Sequence, residues 1–83
     1  MVKIHITPKA LGQAEALNEP ILTRVMQLVE RLKKWPDVSG VKPLSGKLAG
    51  YYRLRTGDYR VQFRVERETI IIEKIGHRDR FYD

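Results

Sequence analysis

The stretch YYRLRTGDYRVQFR, residues 51–64, carries Arg53, Arg55, Arg60 and Arg64, and the stretch GHRDRFY adds His77, Arg78, Arg80 and Tyr82 directly after Gly76. Guanidinium forks bind phosphate oxygens two at a time. Aromatic rings stack on splayed bases, and an imidazole titrates near a pH of roughly 6.5. These groups match the needs of one reaction, the cleavage of RNA by its own 2′-hydroxyl. That reaction requires a group to take the hydroxyl proton, positive charge on the pentavalent phosphate, and an acid for the leaving 5′-oxygen. It requires no metal. His5 and His77 are the only histidines, cysteine is absent, no His, Asp and Glu cluster has ligand spacing, and no glycine-rich phosphate loop opens a helix. Neither a metal nor another cofactor is expected.

The elements that must position these groups follow from periodicity. Val2, Ile4 and Ile6 alternate with Lys3 and His5, the period-two signature of a half-buried strand. Thr7 before Pro8 reads as the cap of a short helix over about residues 8–17. Asn18 is the expected cap of a second helix, in which Ile21, Leu22, Val25, Leu28, Val29 and Leu32 recur at helical spacing until Pro36 forbids continuation. Residues 37–50, with Pro43 and three glycines, read as an irregular connection that contains at most the start of a strand. Three strands follow, Tyr51 to Thr56, Tyr59 to Glu66 and Thr69 to Ile75, joined by Gly57-Asp58 and Arg67-Glu68, turns short enough to force antiparallel neighbours. The order β-α-α-β-β-β predicts an α+β fold of two layers, an antiparallel sheet packed on a helical hairpin. Trp35 is expected to plug the helix end, and Tyr51, Tyr52 and Tyr59 to pack.

Successive strand residues point to opposite faces. Tyr52 and Leu54 therefore oppose Arg53 and Arg55, and Tyr59, Val61, Phe63 and Val65 oppose Arg60, Gln62 and Arg64. If the apolar sets cover the helices, the arginines share the open face on strands about 5 Å apart. Two readings fit this. Asp58, Glu66 and Glu73 can turn it into a solvated face of ion pairs worth about 0–1 kcal/mol each, or the cations are held for an anion. The cluster after Gly76 favours the anion.

Composition bounds the rest. Eighty-three residues, 42% hydrophobic and 31% charged, predict one globular domain over 1–83 with a modest core. The net charge of +6 favours phosphate polymers through counterion release, although an acidic protein would serve as partner too. The apolar run at the start is too short for a secretion signal, and nothing approaches the roughly 20 apolar residues of a membrane span. A soluble protein of the reducing cytoplasm, with no membrane partner, is the expectation.

The segment LSGKLAGYYRLRTGDYRVQFRVERETIIIEKIGHRDRFYD, preceded by the β-α-α start, resembles the RelE/ParE superfamily of bacterial and archaeal toxins over nearly the whole chain. The motif is a leucine-glycine turn, YRLRTGDYR, a hydrophobic strand and GHRDRFY. The resemblance implies a RelE-like microbial RNase fold and the toxin of a type II toxin–antitoxin system. It implies a metal-independent endoribonuclease, or mRNA interferase, that cuts translated mRNA in the ribosomal A site, inhibits translation and leaves a 2′,3′-cyclic phosphate. Its implied partners are the ribosome, mRNA and a cognate antitoxin in a hetero-oligomeric complex.

Carried over by position, the resemblance assigns Arg60 and Arg78 to the phosphorane, and Arg53 and Arg55 to holding the backbone or lowering the nucleophile's barrier. Tyr82 would stack on a base or assist proton transfer. His77 stands where some relatives have lysine and has no assigned role beyond membership of the catalytic set. Lys47, Arg64, Lys74 and Arg80 form a rim for RNA. Longer relatives continue past the tyrosine with a further helix. Two alternatives remain: a ParE-like DNA gyrase inhibitor without nuclease activity, and an RNA-binding domain without chemistry.

Overall fold

The computed structural model describes residues 2–81. Its elements are β1 (Lys3–Ile6), α1 (Pro8–Glu15), α2 (Ile21–Arg31), β2 (Lys42–Pro43), β3 (Tyr51–Thr56), β4 (Tyr59–Glu66) and β5 (Thr69–His77), with 3-10 turns at Leu32–Lys34, Gly46–Leu48 and Arg78–Arg80. The predicted β-α-α-β-β-β order and the α+β class hold, with the two-residue β2 added on the edge beside β3. The sheet order is β1-β5-β4-β3-β2.

One pairing differs from an all-antiparallel sheet. β1 runs parallel to β5, with Ile4 opposite Ile70 and Ile6 opposite Ile72, so the sheet is mixed. The long connection that a parallel neighbour requires runs through both helices and the strands β2 to β4. α1 starts where the sequence predicts, with the Ala10 N–H donating to Thr7 Oγ1 at 3.2 Å. α2 does not use Asn18 as a side-chain cap. Its cap position is Pro20, which makes no side-chain bond, and Asn18 contributes its carbonyl, which accepts from the Leu22 N–H at 3.0 Å.

The core lies between the helices and one sheet face. Ala10 and Ala14 of α1 and Val25, Leu28 and Val29 of α2 pack with Leu32 on Leu54, Val61, Phe63, Ile70, Ile72 and Ile75, all buried. Small residues on α1 let its backbone approach β5, and Gln13 completes the contact. β1 ends opposite Ile72, and Gln13 Oε1 accepts from the Ile75 N–H beyond that end at 2.8 Å, so a buried donor is satisfied. Trp35 closes the far end as expected, edge-on to Tyr52 at 5.0 Å and to Phe63 at 5.5 Å between ring centres.

A β-bulge decides which residues of β5 face the core. Gln62 is opposite Lys74, but Phe63 is opposite Ile72, leaving Glu73 as the extra residue. Without it, strict alternation from Ile70 and Ile72 would send Lys74 inward. With it, Ile75 enters the core and Lys74 stays on the open face.

Phe63 is fully buried at the meeting point of Trp35, Tyr52 and the central strands. Phe63→Ala should cost about 3–5 kcal/mol. Urea unfolding followed by fluorescence of Trp35, the only tryptophan, measures this. A loss under about 1 kcal/mol would show that the aromatic cluster does not hold this end of the sheet.

Candidate nucleic-acid interface

The hairpin between β3 and β4 sets the register of the open face. Gly57 takes a left-handed φ of 56°, which a tight two-residue hairpin turn uses and which other residues reach only with strain. The resulting pairing puts Arg55 opposite Arg60 and Arg53 opposite Gln62. Across the next interface Arg60 is opposite Gly76, and Gln62 opposite Lys74. Arg53, Arg55 and Arg60 are thus neighbours on one face, as predicted. Arg55 is exposed and Arg53 and Arg60 are half-buried.

Arg60 carries the most telling atom of the face. Its Nη1 is buried and has no hydrogen-bond partner among the described residues. A buried unsatisfied donor costs about 1–3 kcal/mol, and a site that binds an anion recovers that cost when the anion arrives.

The residues after β5 return to the same end of the sheet. His77 pairs with Tyr59 and meets its ring edge-on at 5.2 Å. The Arg78 N–H donates to the Asp58 carbonyl at 2.7 Å, which pins the turn Arg78–Arg80 to the hairpin that carries Arg55 and Arg60. Asp58 also faces both side chains: its carboxylate lies 3.6 Å from Arg78 Nε and 3.9 Å from His77 Nε2. Asp79 is 3.6 Å from each of them, through Arg78 Nε and His77 Nδ1. His77 Nδ1 accepts from the Asp79 N–H at 3.1 Å, so neutral His77 carries its proton on Nε2, toward Asp58.

Gly76 and Phe81 complete the arrangement. Phe81 is 1% exposed yet stands outside the main core cluster. Phe81 packs over Gly76, where a Cβ would lie at an ordinary contact distance of 3.7 Å from the ring. Lys74 sits over the same ring, Nζ 4.8 Å from its centre, a cation–π contact. The Phe81 ring thus packs over the strand residue opposite Arg60 and holds the tail beside it.

The remaining predicted residues divide. Arg64 is opposite Tyr51, and its guanidinium is bound by Glu66 and, at 3.1 Å, by Glu73. These hydrogen bonds, that to Glu66 first, raise its pKa above the ordinary arginine value. Arg64 is therefore already neutralised. Lys47 is exposed in the turn Gly46–Leu48. Arg80 lies in the turn Arg78–Arg80, and Tyr82 falls outside the described residues. Among the described residues no group of three or more His, Cys, Asp or Glu side chains could hold a metal.

Lys42 was not among the residues expected to touch RNA. It is opposite Arg53 on β2 and lines a cleft of about 280 Å³ together with Gly40, Arg53 and Arg55. A two-residue strand gives no alternation to read, so only its pairing reveals its place. Asp58 was expected only as a solvated partner of the arginines; its position in the turn hinted at no contact with His77.

Replacing Arg60 by methionine keeps the apolar stem and removes the unsatisfied donor. Arg60→Met should match or exceed the wild type in stability, by up to about 1–3 kcal/mol, in phosphate-free buffer. Added phosphate should stabilise the wild type and not the variant. Urea titrations with and without phosphate test this, and a variant destabilised in both buffers would mean that Arg60 is a structural residue.

Residues 4–82 match the family described as the ParE toxin of type II toxin–antitoxin systems. The chain is 32% identical over 66 residues to Toxin RelE3 of Methanocaldococcus jannaschii, covering 76% of this chain and 75% of that protein. Its fold is similar to the toxin–antitoxin complex RelBE2 from Mycobacterium tuberculosis, with a TM-score of 0.79 and 26% identity over 93% of this chain and 98% of that one. It is also similar to the archaeal RelE–RelB complex from Pyrococcus horikoshii, with a TM-score of 0.76 and 26% identity over 95% and 97%. No helix among the described residues is long and apolar enough to cross a membrane. Through the family match and the archaeal relative, the cationic sheet face and its two-helix support are those of a chain that belongs to the RelE/ParE superfamily of toxins from type II toxin–antitoxin systems.

Proposed function

We propose that this toxin is a ribosome-dependent mRNA endoribonuclease that cuts translated message in the A site and so inhibits translation. The observation that carries the reading is the pairing of Arg55 with Arg60 beside an Arg60 Nη1 that is buried and has no partner among the described residues. Cations opposed on neighbouring strands repel one another, and a phosphate between them converts that repulsion into attraction. Arg60 and Arg78 take the charge of the phosphorane, while Arg53 and Arg55 hold the backbone. Asp58 is a positioning residue for His77 and Arg78. Attack by the 2′-hydroxyl needs no metal, and the product is a 2′,3′-cyclic phosphate. Lys47, Lys74 and Arg80 supply a wider electrostatic rim.

The partner of such a toxin is a cognate antitoxin. Two of the similar structures are named as complexes of toxin with antitoxin, which supports a hetero-oligomer here. An acidic or amphipathic segment laid over the basic face would block it. The match to a family named for ParE favours a second reading, a gyrase inhibitor without nuclease activity. The joint presence of Arg53, Arg55, Arg60, Arg78 and Tyr82 in this sequence argues for the nuclease.

Induced expression should arrest growth, and primer extension on a translated message should show cuts within codons. Arg60→Ala or Arg78→Ala should lower the cleavage rate by about 10²–10³-fold, the scale of removing one transition-state donor. The Arg78 variant should keep its stability within about 0.5 kcal/mol. Intact message with damaged DNA would instead establish gyrase poisoning.

Co-expression of the adjacent open reading frame should restore growth, and the two proteins should co-purify. Arrest that persists when that neighbour is expressed, with no complex recovered, would remove it as the antitoxin.

A further inference from the structure

The cleft between β2 and β3 lies one step along the sheet from the site assigned to the scissile phosphate. Cross-strand pairing arranges the open face in rows. Lys42, Arg53, Gln62 and Lys74 form one row over four strands, and Arg55, Arg60 and Gly76 form the next. Two residues of extended chain separate the rows, about 7 Å, a distance of the order of one nucleotide step. The cleft opens on both rows, since Lys42 and Arg53 belong to the first and Arg55 to the second.

Counter-charge distinguishes this place from the rest of the face. Glu66 and Glu73 engage Arg64, and Asp58 and Asp79 stand near Arg78. Lys42 and Arg55 make no ion pair among the described residues, and no carboxylate is among the cleft's described lining. The fourth lining residue, Gly40, has a left-handed φ of 82° and presents no side chain. A concave site to which Lys42 and Arg55 bring charge that no described carboxylate pairs concentrates anions.

We propose that this cleft binds the phosphate adjacent to the scissile one, and that Lys42 thereby sets the register in which the message lies over Arg60. The inference rests on the nuclease reading and names a second contact within it. A plainer role for Lys42 exists, because a lysine on a short edge strand discourages pairing with other chains. The two roles differ in whether Lys42 is coupled to one particular phosphate.

Single-turnover cleavage on programmed ribosomes tests that coupling, using messages with an uncharged methylphosphonate on the 5′ or the 3′ side of the cut. One of the two replacements should slow the wild-type toxin about tenfold, within the range of couplings between contacting partners. Lys42→Gln should slow cleavage of the unmodified message by a similar factor, and variant and modified message together should cost no more than either alone. Lys42→Arg should restore the rate, and Lys34→Gln, which removes the same charge from an exposed turn, should behave as wild type. If the losses from Lys42→Gln and from each methylphosphonate multiply, the inference is overturned and Lys42 is an edge lysine, while the nuclease reading stands because the wild type still cuts. If the wild type cuts no message, the nuclease reading fails and this inference with it.

Discussion

Arg55 and Arg60 stand directly opposite one another on neighbouring strands, and the rest of the fold works against their repulsion. A like-charged pair at that position costs on the order of 0.2–1 kcal/mol. The reverse side of the same strands buries Leu54, Val61 and Phe63, each worth about 1.5–3 kcal/mol relative to exposure. Burial wins by a wide margin, and the register that buries these side chains is the register that opposes the two arginines. A one-residue slip would relieve the repulsion and turn the apolar set to solvent. The core therefore fixes the cations, and no direct contact between them is needed.

The face is sorted as well as charged. The bulge in β5 puts Glu73 within reach of Arg64, and Glu66 binds it from its own strand. Toward the Gly57 turn Asp58 and Asp79 stand 3.6 Å or more from Arg78 and His77. Arg55 and Arg60 are left without such partners among the described residues. A net charge of +6 by itself says little about a partner. Its uneven neutralisation says more, because potential is concentrated where carboxylates are withheld.

Much of this was legible in the sequence because it depends on local pattern. Alternation separated Arg53, Arg55 and Arg60 from Leu54, Val61 and Phe63, and two-residue turns fixed the antiparallel neighbours. Thr7 and Trp35 fall where capping and packing rules put them. The parallel pairing of β1 with β5 was not legible, since it joins segments more than sixty residues apart and nothing in either strand encodes its direction. Asn18 misled because its carbonyl, not its side chain, serves α2. The bulge left a trace: Ile70 and Ile72 keep period two, but the next core residue is Ile75, three positions on, and a break of that kind marks an inserted residue. Lys42 had no pattern to betray it.

The tail shows how a residue read as chemistry can depend on one read as punctuation. Gly76 looks in sequence like a place for the chain to leave the sheet. In the structure it is still within β5, opposite Arg60, and the Phe81 ring packs over it. Phe81 is as buried as the main core, but on the other face of the sheet. Its burial holds the turn Arg78–Arg80 against the hairpin as a hydrophobic anchor, and Lys74 adds a cation over the ring. Ion pairs as exposed as those of Arg78 would not fix the turn alone, since each is worth about 0–1 kcal/mol. The position of Arg78 relative to Arg60 thus rests on this apolar contact together with the backbone bond from the Arg78 N–H to the Asp58 carbonyl.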